Sequence, residues 1–110
     1  MKYERELIDL GREIYEINNP GFGAAPPSPE ELKRIAREWL RNKGSDIRSA
    51  LCKNADFIHR TSTAPATEAL TTVADVLIVA HGKSQFPILS LARLVCAAGV
   101  ERFCKGEIEF

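Results

Sequence analysis

Two apolar segments, Ala66–Ala80 and Ile88–Ala98, stand on either side of a short punctuated loop, His81–Pro87. Nothing else in the chain is as hydrophobic, so the remainder has to pack around this pair. In the first segment Leu70, Val73, Ala74, Leu77 and Ala80 recur at helical spacing, with Glu68, Thr72 and Asp75 opposite. From Val76 onward it is apolar all round. In the second, Ile88, Leu91, Ala92, Val95 and Cys96 face one way, and Leu89 and Leu94 widen that face. Only Ser90 and Arg93 are polar before Gly99 closes the segment. A helix with so narrow a polar stripe sits centrally in a bundle or under a partner. The expectation is an apolar helical hairpin at the heart of an all-α domain.

Val76–Ala80 also resembles a buried strand, because a short apolar run has no diagnostic period. Gly82-Lys83-Ser84 after it has the outline of the end of a phosphate-binding loop. The full motif needs glycine five residues before Gly82, and Leu77 stands there. The first sixty residues hold no convincing strand, so an α/β fold is disfavoured.

The rest of the chain reads as three more helices. Tyr3, Leu7, Leu10, Ile14 and Ile17 alternate in spacings of four and three, one stripe of an amphipathic helix, with Gly11 an unfavourable residue inside it. Asn18–Pro27 is too rich in proline and glycine to continue that helix, and Phe22 is the residue available to pin the loop. Ser28-Pro29-Glu30-Glu31 is a capping box, and Leu32, Ile35, Ala36, Trp39 and Leu40 form the buried face behind it. Gly44 is the natural stop, and Ser45 a fresh cap for a third helix, or two short ones interrupted at Asn54, over Asp46–Arg60. Pro65 opens the fourth helix, and Ser84 caps the fifth with Pro87 in its first turn. Val100 and Phe103 fold back on the fifth helix. The tail, Gly106–Phe110, is extended or frayed. The whole is a compact bundle of about five helices in one domain.

At 110 residues, 45% hydrophobic and 27% charged, the composition is that of an ordinary globular domain, and the net charge is zero. No global field draws such a chain to nucleic acid or to an anionic membrane. The first residues lack the apolar run of a signal peptide, and no segment is long enough to span a bilayer, so the expected location is cytoplasmic. Cys52, Cys96 and Cys104 are odd in number and widely spaced, which argues for reduced thiols.

Chemistry-bearing patterns are thin. The cysteines, His59 and His81 have no metal-ligand spacing. No nucleophile elbow is present, and Glu30–Glu31 and Glu4–Glu6 belong to solvated helix turns. No catalytic residue, metal or cofactor is expected, and no family resemblance is specific enough to name. Two surfaces remain. Lys33, Arg34, Arg37, Arg41 and Arg48 lie in a segment, 33–60, where bases outnumber acids, with a helix-turn-helix outline that suits nucleic acid. The acids of the first helix could instead neutralise that stripe. Val79 and Ala97 fall on the polar sides of the last two long helices and, with Phe103, suggest a protein-partner or self-association surface. The expected function is a small non-enzymatic interaction module, with nucleic-acid binding as the alternative.

Overall fold

The computed structural model describes residues 3–19, 27–53, 55–82 and 85–106. Among these the chain is all-α, with six helices: α1 (Glu4–Asn18), α2 (Pro29–Leu51), α3 (Ala55–Thr63), α4 (Ala66–His81), α5 (Ile88–Ala98) and α6 (Val100–Lys105). Val76–Ala80 lies inside α4, so the strand reading is set aside. The expected features at Phe22, Asn54, Lys83, Ser84 and the tail beyond Gly106 lie outside the described residues.

The second helix starts as its capping box requires. The Glu31 backbone N–H donates to Ser28 Oγ at 3.2 Å, and Pro29 occupies the first turn. The reciprocal half of the box is not made, because the Glu31 carboxylate accepts from Arg34 instead.

The stop expected at Gly44 does not occur. Gly44 is helical and buried, and the only described glycines with positive φ are Gly99 and Gly106. The reason lies beyond it: Ile47 and Leu51, both fully buried, continue the stripe of Leu32, Ala36 and Leu40. Burying two such side chains stabilises by roughly 3–6 kcal/mol, against about 1 kcal/mol lost to a helical glycine. The second expected helix therefore merges with the first part of the third, whose remainder is the separate helix α3, and the break falls at Cys52–Lys53. A Cβ on Gly44 would meet only the end of the Arg48 side chain, at 3.5 Å. Gly44→Ala is expected to raise stability by about 1 kcal/mol and Tm by roughly 4 °C, a shift that thermal denaturation reads directly.

α5 is the central element. Leu91, Ala92, Leu94 and Val95 are fully buried, and Ser90 and Ala98 nearly so. α5 packs on α1, α4 and α6, while α1 and α2 make the most extensive pairing in the fold. Its N-terminus is capped across the sequence. Glu13 of α1 accepts from the Ser90 backbone N–H at 3.2 Å, placing a carboxylate at the positive end of the helix dipole. α4 is less central than its hydrophobicity suggested: only Ala69, Val73 and Leu77 are buried, on one side. The end of α4 is tied to the body by an aromatic chain. Phe86 stacks on His81 with centroids 4.4 Å apart, and meets Trp39 of α2 edge-on at 5.1 Å.

α5 ends where Gly99, at φ 95°, turns the chain. Val100 and Phe103 do fold back into the core, as a sixth short helix. A disulfide joins Cys52, at the end of α2, to Cys104 in α6, 52 residues further on. The expectation of three reduced thiols is thereby corrected: only Cys96 is a thiol. Sequence spacing cannot exclude a pairing that the return of α6 onto α2 and α3 creates.

Candidate interaction surface

The C-terminal half of α4 carries two of the three exposed large hydrophobic side chains described, the third being Leu89 of α5. Val79 is 88% exposed and Ile78 52%, and Ala80 is exposed beside them. Helical geometry dictates this. Val73 and Leu77 point into the core, so residues one and two positions beyond Leu77 must turn outward. Val76, Val79 and Ala80 line a shallow, mostly apolar cleft completed by Ala50 of α2 and Asp75. The polar side of α4, with Glu68 and Asp75 exposed, thus gives way to valine, isoleucine and alanine over its last turns.

Of the three residues expected on a partner surface, Val79 is the most exposed large hydrophobic side chain described. Ala97 is exposed too, on α5. Phe103 is not surface: it is 4% exposed, and belongs to the core under Arg48, whose guanidinium carbon stands 5.7 Å from the ring centroid. It followed Val100 inward because α6 presents both on one face. Ile78, Ala80 and Ala50 were missed as surface candidates. For Ile78 and Ala80 the signal was the loss of any polar stripe after Asp75, which identifies an unusual helix but not which side lies open; nothing in the sequence around Ala50 marks it.

The basic residues are largely engaged within the chain. Lys33, expected on a solvated stripe, is buried between α1 and α2, its Nζ 2.9 Å from both Glu4 and Glu30. Its ammonium is held above the ordinary lysine range by the hydrogen bonds to Glu30 and then Glu4. Reciprocally, Lys33 holds the Glu4 carboxyl below the usual carboxylate range. Arg34 is exposed and bonded to Glu31 and Glu38. Arg41 and Arg48 are exposed and Arg37 half-buried. The acids of α1 do meet the stripe, at Glu4. The five residues do not form one open basic face.

The Glu4–Lys33 pair sets a pH dependence. A carboxyl with a depressed folded-state pKa binds fewer protons in the native than in the unfolded chain. Its stabilisation is present above the ordinary carboxylate range and is lost as pH falls through the depressed value. In Lys33→Met that loss should disappear for Glu4, leaving a shallower fall of Tm between neutral and acidic pH. Thermal melts over a pH series test this, and a fall as steep as wild type would refute the pairing.

Among the described residues, no group of three or more His, Cys, Asp or Glu is placed to hold a metal ion. No described helix is long and apolar enough to cross a membrane. Compared with family models, curated proteins and solved structures, the chain matches none.

Proposed function

We propose that the chain is a small, non-enzymatic interaction module that self-associates through the outer face of α4. The observation that carries this reading is Val79, an aliphatic side chain 88% exposed beside Ile78 and Ala80 on a helix that loses its polar stripe after Asp75. Isolated exposed hydrophobics are ordinary; three exposed in succession, two of them lining an apolar cleft, form a patch that association would dry. A second copy suits it because a helix face of small aliphatic residues is complementary to itself across a two-fold axis. The zero net charge removes long-range repulsion between copies.

Sedimentation over a concentration series is the test. Wild type should associate, and Val79→Glu should stay monomeric with unchanged helical circular dichroism, since Val79 is 88% exposed and outside the core. A wild type that remains monomeric at high concentration would overturn self-association and move the patch to a larger partner. The nucleic-acid alternative has less support, because Lys33 and Arg34 already bind carboxylates. Salt-sensitive heparin retention abolished by Arg37→Glu with Arg41→Glu would revive it.

A further inference from the structure

We propose that the Cys52–Cys104 disulfide is a reducible modification site, opened by a dithiol reductant that enters the cleft beside it. Both cysteines are only half-buried, and both line one surface cleft together with Ile58, His59, Ser62 and Lys105. An attacking thiol therefore has a path to the sulfurs that does not require the core to open. The rim of the cleft is polar: Lys105 is paired with Glu101 at 3.0 Å, and His59 and Ser62 complete the wall, so a hydrophilic reductant can reach the bond.

The reaction is a two-electron exchange. A thiolate of the reductant attacks one protein sulfur and forms a mixed disulfide. The other protein sulfur leaves as a thiolate and takes up a proton. The second thiol of the reductant then displaces the first protein sulfur, leaving two protein thiols and an oxidised reductant.

The architecture confines the consequence. Cys52 is the cap of α2, its N–H bonded to Arg48 O at 2.8 Å, and Cys104 is one residue from the end of α6. Breaking the bond leaves α6 anchored by Val100 and Phe103, 3% and 4% exposed. Reduction thus unfastens the end of α6 from the end of α2 and leaves the helical core intact. Cys96 is an internal reference. It lies on α5 away from this cleft, with its thiol pushed up by burial and so poorly nucleophilic.

The experiment treats the native full-length chain with millimolar dithiothreitol, traps thiols with a maleimide in denaturant after removing the reductant, and counts them by intact mass. The expected result is a rise from one thiol per chain to three, with unchanged helical circular dichroism. Faster amide exchange should be confined to α6 and the last turn of α2, and reoxidation should restore one thiol. A count that stays at one until denaturant accompanies the reductant would overturn the proposal. So would loss of helicity in step with reduction.

Discussion

Replacing Cys52 and Cys104 together by serine is expected to lower Tm by on the order of 15 °C. The cross-link closes a loop between residues 52 apart. In the chain-entropy description, opening a loop of that size returns about 4 kcal/mol of disorder to the unfolded chain. For a domain near this length each kcal/mol moves Tm by roughly 4 °C. The effect acts on the unfolded state, so it has a second signature. The double variant should show a larger denaturant m-value, because its unfolded chain is more expanded and exposes more surface. Helical circular dichroism at room temperature should be unchanged, since Val100 and Phe103 hold α6 by burial. Three titratable thiols in the untreated folded protein would contradict the pairing outright. The same bond weighs on location. Disulfides persist in oxidising compartments and are rare in the reducing cytosol unless they cycle. The expectation of a cytoplasmic chain rested on the missing signal-peptide and membrane-spanning runs, which are silent about the pairing of Cys52 with Cys104.

What could be read from the sequence follows the range of the forces involved. Ser28 and Pro29 at the start of α2, and Gly99 at the end of α5, are local features whose chemistry operates within one turn, and both lie where expected. The stripe of Leu7, Leu10 and Ile14 is equally local in origin and is buried as expected. Gly44 shows how a local signal fails. Its preference for a helix end is worth about 1 kcal/mol, and the burial of Ile47 and Leu51 overrides it. The disulfide, the Glu13 cap on α5 and the Lys33–Glu4 pair join residues far apart in the chain, and nothing in local spacing announces them. For the candidate surface, the apolar excess of α4 was visible. Which side of it the body would leave open was not, because that depends on the placement of α5 and α2. Phe103 was misjudged for the same reason: a short helix after a glycine turn can present its apolar side inward, and only the packing decides.

Gly11→Ala is expected to be among the most damaging single-methyl changes in the molecule. Gly11 is buried on the α1 stripe, where α1 crosses α2. A Cβ there would overlap the carbonyl oxygen of Leu32 and lie 2.6 Å from its carbonyl carbon and 3.1 Å from its Cα. These are backbone atoms in the first turns of α2, so no rotamer change relieves the overlap. The helices must move apart by more than 1 Å, and the contacts of Leu7, Leu10 and Ile14 with α2 loosen together. Overpacking of this kind costs about 3 kcal/mol or more at a backbone crossing, while the better helix propensity of alanine returns only about 1 kcal/mol. A fall in Tm of roughly 8 °C or more follows. The comparison with Gly44→Ala isolates the cause. Both substitutions add one methyl to a buried helical glycine, and both gain the same propensity. They differ in what the methyl meets: the flexible end of Arg48 in one case, the backbone of Leu32 in the other. Opposite signs of the Tm shift are therefore expected, and a Gly11→Ala protein as stable as wild type would mean that α1 and α2 do not cross at this residue. Propensity alone ranks the two glycines as equals, so the close approach of the two helices supplies the reason why an unfavourable residue stands in the middle of α1.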